Sequence, residues 1–286
     1  MSHRVAFLDV FAERPLAGNG LAVVDAADRV SDRVMLAFAR ETRLSETTFV
    51  QSPSAEGADY RTRIWTPGEE LPFAGHPSLG TAVALARWRG EAEASYVQQT
   101  GAGLQPIEVR QQDSAWRAAM LQGAAEFGAE LDGGKTLAAA GLQPSDGVPE
   151  LPPQMVSTGI SHAIVPVASA EALASASPDY GAIDELLRPH DGVVLYLAWC
   201  EPTEGRARAR GFARIREIGE DPATGSAVGP LCAYLAERAG CEAITVSQGE
   251  EVGRPSRLEA AIDDSGRVRV SGMVVPLIDG TVELPG

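Results

Sequence analysis

The 286-residue sequence predicts an α+β fold made of two similar halves. Two observations carry that expectation. Strand-like and helix-like runs mix without the regular alternation of a doubly wound sheet. In addition, two strand-to-helix turns rich in small residues recur about 150 positions apart. The first is Leu71-Pro72-Phe73-Ala74-Gly75-His76-Pro77-Ser78-Leu79-Gly80-Thr81-Ala82, and the second is Glu220-Asp221-Pro222-Ala223-Thr224-Gly225-Ser226-Ala227-Val228-Gly229-Pro230. A pair of such turns suggests two halves facing one cleft. Each turn aims backbone N–H groups at whatever lies ahead of the helix, where the helix dipole favours an anion.

The elements follow from local pattern. Val5 to Phe11 is a strand. Ser31 is an N-cap, with Asp32 in the first turn and Val34, Met35 and Phe38 on one helical face. Leu44–Gln51 and Tyr60–Thr66 are strands, and Thr66-Pro67-Gly68-Glu69 is turn chemistry. A helix runs from Leu79 to Trp88. Ala94–Gln99, Gly103–Arg110 and Ala115–Leu121 form sheet. From Gly123 to Pro153 the chain turns rich in Gly, Ala and Pro, with one short helix at Lys135–Ala140. The domain boundary falls at the start of that stretch. Beyond it, His162–Val167 is a strand, and Ala170–Ala176 and Ile183–Leu187 are short helices. Gly192–Ala198 and Arg206–Ile218 are strands, and a helix covers Val228–Ala239. Ala243–Ser247, Arg257–Ile262 and Arg267–Ser271 close the pattern. The arginines that mostly alternate from Arg206 to Arg216 form a solvated or cross-strand-paired face rather than an anion site.

Composition narrows the function. A hydrophobic content of 44% is enough for real cores, and a formal charge of −15 argues against nucleic-acid binding. No apolar run approaches membrane-spanning length and no export signal is recognisable, so the expectation is a cytoplasmic protein with no membrane partner. Cys200, Cys232 and Cys241 lack metal spacing and read as reduced thiols, with Cys232 a small core residue.

Four stretches carry a resemblance. They are Asp9-Val10-Phe11 with Pro15-Leu16-Ala17-Gly18-Asn19, then Leu44-Ser45-Glu46-Thr47-Thr48-Phe49-Val50. The others are Ile64-Trp65-Thr66-Pro67 through Glu70–Pro77 to Gly80-Thr81-Ala82, and Glu220–Ala227 with Gly229-Pro230. A weaker fifth is Gln248-Gly249 with Gly253-Arg254-Pro255-Ser256. In these the chain resembles the phenazine-biosynthesis PhzF-like family, with its diaminopimelate-epimerase-like fold. Gly20 departs from the family's usual Pro. The resemblance implies two pseudo-symmetric domains, each a curled mixed sheet around a central helix. These are 1–122, completed by a C-terminal strand at 274–286, and 123–273. It implies a homodimer and a cofactor-independent isomerase that needs no metal. Its substrate would be a small carboxylic acid of the trans-2,3-dihydro-3-hydroxyanthranilate type.

The same resemblance assigns the site. Glu46 matches the segment that supplies the acid/base carboxylate, although a charged residue in a strand ordinarily just faces solvent. His76, otherwise a turn residue, sits at a helix start that favours a neutral imidazole suited to relaying a proton. Asp221, otherwise a helix cap, matches the family's essential Asp. Ser45, Gly75, Thr224, Gly225 and Ser226 would bind the substrate. Phe49 and Phe73 lie close enough in sequence to give Glu46 apolar surroundings. The competing readings are an epimerase or racemase of a small amino or hydroxy acid, and a non-catalytic small-molecule binder. Epimerases of this fold use a cysteine from each turn, and neither turn here has one. A dinucleotide fingerprint fails at Val23, and the second turn lacks the Gly-Lys of a phosphate loop. Gly159-Ile160-Ser161-His162-Ala163 only half resembles a nucleophile elbow. His162 and His190 have no motif around them.

Overall fold

In the computed structural model, which describes residues 1–215 and 219–285, the chain divides into two units. One is Met1–Leu121 together with the C-terminal residues from Ser271, and the other is Gln122–Val270.

The first unit contains β1 (Ser2–Val10), β2 (Asn19–Val24), α1 (Asp32–Thr42), β3 (Glu46–Gln51), β4 (Tyr60–Trp65) and β5 (Glu70–Leu71). It continues with α2 (Gly75–Arg89), β6 (Glu93–Thr100), β7 (Gly103–Gln112) and β8 (Ala115–Leu121). The chain's last strand, Val268–Glu283, pairs with both β1 and β8. From β1 the neighbours run β2, β3, β4, β6, β7, β8, so the sheet closes on itself. Closure leaves an interior that must be filled, and α2 fills it. Every residue from Gly75 to Ala86 is buried, the signature of a helix packed on all sides rather than along one stripe. Leu79, Val83 and Leu85 each contribute roughly 1.5–3 kcal/mol through that burial. Gly90, in the left-handed region, ends the helix by donating its N–H to the Ala86 and Arg87 carbonyls. On the sheet's other face α1 packs Val34, Met35 and Ala39 against Val24, Phe49 and Trp65.

The second unit holds β9 (Glu126–Glu130), α3 (Gly133–Ala139), β10 (Gln154–Ser157), β11 (Ser161–Val167), α4 (Ala170–Ser175) and α5 (Tyr180–Leu187). It continues with β12 (Val194–Glu201), β13 (Arg206–Ala213), β14 (Glu220–Asp221), α6 (Gly225–Ala239), β15 (Ala243–Gln248) and β16 (Ser256–Ile262). The final strand, β17, starts here at Val268. The sheet order is β9, β10, β11, β12, β13, β15, β16. Helix α6 touches β10 and β11 near one end and β15 and β16 at the other, so this sheet also curls around a buried helix. Its outer face is covered by α3, α4 and α5, through Leu137, Leu173, Ile183 and Leu187 against Val165, Leu197 and Phe212. No helix among the described residues is long and apolar enough to cross a membrane.

Local departures from the sequence reading have physical causes. Both central helices start three or four residues early, at Gly75 and Gly225, because their first turns hold small residues that show no apolar period. The arginine strand ends at Ala213. Arg216 and Ile218, included in the expected strand, lie outside the described residues. β2 follows a Gly-Asn-Gly sequence that looks like a turn, and β9 is exposed throughout, so neither shows a clean alternation. The strand expected at 267–271 continues unbroken to Glu283. The arginines of β13 are indeed paired: Arg206 with Glu201 and Glu204, Arg208 with Glu250 and Glu251. Arg210 is buried, gripping Glu220 through both nitrogens at 2.9 and 2.8 Å.

Candidate active site

Glu46 opens β3, and His76 is the second residue of α2. Side chains along a strand alternate between faces. Thr47 and Phe49 turn to α1: Thr47 Oγ1 meets Thr42 Oγ1 at 2.9 Å, and Phe49 joins the core around Met35. Thr48, on the opposite face, meets Thr81 of α2 at 2.8 Å. That contact seats the face carrying Glu46 against α2, and Glu46 Oε2 lies 3.3 Å from His76 Nε2. The two side chains keep only 12% and 6% of their surface in solvent. Phe49 therefore does not shield Glu46, because the alternation sends its ring to the far side of the sheet.

Burial holds the His76 imidazole well below its ordinary 6.5, at about 3, so the ring is neutral at pH 7. Asn19, the first residue of β2 and 2% exposed, sits beside it. Asn19 Nδ2 is 3.3 Å from His76 Nδ1, and Asn19 Oδ1 accepts from Ser45 Oγ at 3.1 Å. Ser45 lies just before β3, and its hydroxyl belongs to the same run of contacts: Ser45, Asn19, His76, Glu46. Gly75 is the first residue of α2, after Ala74 as an extended N-cap with no side-chain bond. The amides at this helix start therefore have no side-chain cap on them.

In the second unit Asp221 ends β14, Thr224 is the N-cap of α6, and Gly225 and Ser226 are the first two helical residues. Asp221 does not cap the helix; its Oδ2 accepts from Thr224 Oγ1 at 2.7 Å. One buried side chain holds this turn. Gln248 Nε2 donates to the Asp221 carbonyl at 2.7 Å and to Thr224 Oγ1 at 2.9 Å. Its Oε1 accepts from Thr224 N–H at 3.2 Å and from the Tyr196 hydroxyl at 2.9 Å. The next residue, Gly249, has φ +81°, and a Cβ there would sit 2.5 Å from the Pro222 carbonyl oxygen. Only glycine lets that backbone approach the turn so closely.

The two helix starts repeat one another. Glu70 and Glu220, Gly75 and Gly225, and the terminal Gly90 and Gly240 are each 150 positions apart. Arg63 grips Glu70 through two nitrogens at 2.7 and 2.6 Å, as Arg210 grips Glu220. None of the three thiols lies in either turn. Burial pushes Cys200 and Cys232 up to about 12, far from the thiolate that proton abstraction by sulfur requires.

The family described as phenazine biosynthesis-like protein matches residues 8–280. The chain belongs to that family. It is 36% identical, over 99% of its own length and 100% of the other's, to trans-2,3-dihydro-3-hydroxyanthranilate isomerase of Pseudomonas aeruginosa. A solved structure from the same organism, described as a predicted epimerase, superposes with a TM-score of 0.85 at 38% identity and covers 98% of this chain and 99% of that one. A hydroxyproline epimerase from Agrobacterium vitis superposes with a TM-score of 0.65 at 13% identity, covering 98% and 91% of the two chains, which shows the shared diaminopimelate-epimerase-like fold. In this phenazine biosynthesis-like member the sequence motifs contained two residues to which no role was attached, Asn19 and Gln248. Their signal was position: each follows or precedes a glycine at positive φ where backbone packs closely on backbone, Gly18 against Val10 and Gly249 against Pro222.

Proposed function

We propose that this family member is a cofactor-independent isomerase of trans-2,3-dihydro-3-hydroxyanthranilate or a closely similar small carboxylic acid. The observation that carries the reading is the largely buried Glu46–His76 pair, 3.3 Å apart at the start of α2. The full-length relationship to an isomerase of that name supports it. On this reading the two units are the two domains.

The reaction moves one proton. The Glu46 carboxylate takes it from one ring carbon, and the electron pair of the broken C–H bond enters the ring's conjugated system. The carboxylic acid so formed returns a proton to another ring carbon. One C–H bond breaks, one forms and a double bond shifts, so no oxidant, reductant, metal or organic cofactor is needed. A carboxylate held largely out of water is suited to this double duty, accepting the proton in one step and returning it in the next. His76 and Asp221 steer the proton and the ring substituents. Amides and hydroxyls at Gly75, Thr224, Gly225 and Ser226 hold the substrate carboxylate or amine, with Ser45 at the rim. The enzyme works as a cytoplasmic homodimer whose cysteines stay reduced.

The test is mass spectrometry of trans-2,3-dihydro-3-hydroxyanthranilate after incubation in D₂O. The parent should convert it and place deuterium on the carbon that gains the proton. Glu46→Gln keeps shape and hydrogen-bonding reach but cannot accept the proton. It should bind ligand nearly as well, yet lose turnover by about 10²-fold or more. Undiminished deuterium uptake by Glu46→Gln would make another group the base, with Asp221 the next candidate.

A further inference from the structure

We propose that Asn19 is a positioning residue that fixes which nitrogen of His76 carries the proton, placing the hydrogen on Nε2, the nitrogen on the Glu46 side of the ring. Four observations converge on this. The loop that delivers Asn19 is held in an unusual shape. Phe11, Leu16 and Gly18 all have φ between +60° and +65°, and the Asp9 carboxylate accepts from Leu16 N–H at 2.7 Å. A Cβ on Gly18 would lie 2.3 Å from the Val10 carbonyl oxygen, so the chain must turn tightly at that point. Asn19 then enters β2 opposite Val10, buried, with its amide between Ser45 and His76.

The amide's orientation decides the tautomer. Asn19 Oδ1 is 3.1 Å from Ser45 Oγ, and a hydroxyl can donate to a carbonyl oxygen, which can only accept. In the structure the NH₂ group faces His76 Nδ1, at 3.3 Å, and NH₂ can only donate. In a neutral imidazole one nitrogen donates and the other accepts. Nδ1 accepts from Asn19, so Nε2 bears the hydrogen, and Nε2 is the atom 3.3 Å from Glu46 Oε2. Burial, which keeps the ring neutral at pH 7, is what makes the choice of tautomer matter.

The consequence rests on the reading of Glu46 as the proton shuttle. With Nε2–H facing it, His76 cannot take the proton that Glu46 has abstracted, and that proton is kept for the substrate. His76 instead presents an N–H rather than a lone pair on the Glu46 side, at a separation of 3.3 Å. The other tautomer would place a lone pair against Glu46 and give the proton a competing destination.

Two measurements test this separately. The first is ¹⁵N NMR of protein labelled at histidine, with His76 assigned by comparison with His76→Asn, and it needs no substrate. Nε2 should appear as the protonated, pyrrole-type nitrogen and Nδ1 as the pyridine-type one. Asn19→Leu, similar in size but without a donor, should lose that fixed pattern, and Ser45→Ala, which frees the amide to flip, should blur it. The second is kinetics on trans-2,3-dihydro-3-hydroxyanthranilate. Asn19→Leu should lower kcat by about 10- to 100-fold with KM little changed, a split that general loosening of the fold would not produce. A protonated Nδ1 in the parent overturns the proposal without recourse to any variant. An unaltered tautomer in both variants, or an unaltered kcat in Asn19→Leu once its tautomer has changed, also overturns it. If the parent fails to convert this substrate, the functional reading has failed, and the NMR result still decides the tautomer.

Discussion

His162 makes the second unit sensitive to acid, and the size of the effect can be worked out. It lies on β11, fully buried, with neither ring nitrogen hydrogen-bonded. Burial holds it at about 3, against an ordinary value of 6.5. The unfolded chain therefore takes up a proton on this ring as pH falls through 6.5, and the folded protein does not until near 3. Stability is unaffected by this residue above about pH 6.5 and falls by about 1.4 kcal/mol per pH unit below it. At pH 5.0 the loss is about 2 kcal/mol, a sizeable part of the 5–15 kcal/mol that holds a typical domain together. His76 shifts the same way, also through burial, but it lies in the candidate active site, so His162 is the cleaner probe. Asp32, held below its usual range mainly by the hydrogen bond from Arg63, contributes stability that is lost only at lower pH, through and below 3.8. The assay is urea unfolding between pH 7.5 and 5.0, comparing the parent with His162→Leu. The variant should gain roughly 1–3 kcal/mol at pH 7.5, because two buried, unbonded nitrogens are removed. Its stability should also fall less steeply toward pH 5.0. Equal acid slopes in the two proteins would refute this reasoning.

Two further substitutions test the second helix start. Gln248→Leu removes both donors and the acceptor that hold Asp221 and Thr224, so turnover should fall by about 10²-fold, measured on the same substrate, as small displacements of a reacting group do. Arg210→Met strands the Glu220 carboxylate and three carbonyls at the end of α4, those of Leu173, Ala174 and Ala176. It should cost about 3–5 kcal/mol in urea unfolding, and Arg210→Met combined with Glu220→Leu should recover much of that.

What the sequence made legible was whatever local pattern encodes. The strand-to-helix turns announced themselves because small residues and glycines must lie where backbone approaches closely, and they recur at one spacing. Glu46 and His76 were named because each stood in a long motif, not because their spacing implied a contact; the 3.3 Å approach depends on β3 lying against α2. Asn19 and Gln248 escaped a role for the same reason. Each acts through partners distant in sequence: Asn19 through Ser45 and His76, Gln248 through Tyr196, Asp221 and Thr224. Phe49 was misjudged because closeness in sequence ignores alternation, which puts residues 46 and 49 on opposite faces of one strand.

The repeat explains why the two halves could keep one architecture and divide the chemistry. Each half retains what its backbone needs: a forked Arg–Glu pair beside the turn, glycine at the first helical position and a left-handed glycine at the last cap. Several positions between these shared features differ. Leu71 stands where the other half has Asp221, Ala74 where it has Thr224, and His76 where it has Ser226. An imidazole at one helix start and a carboxylate with two hydroxyls at the other are complementary donors and acceptors rather than copies. A duplicated pair of thiols would suit abstraction and return of a proton at opposite faces of one carbon. Unlike groups suit a proton that leaves one carbon and arrives at another. If the two helix starts serve one substrate, as the proposed function has it, the divergence at these three positions fits isomerisation better than epimerisation.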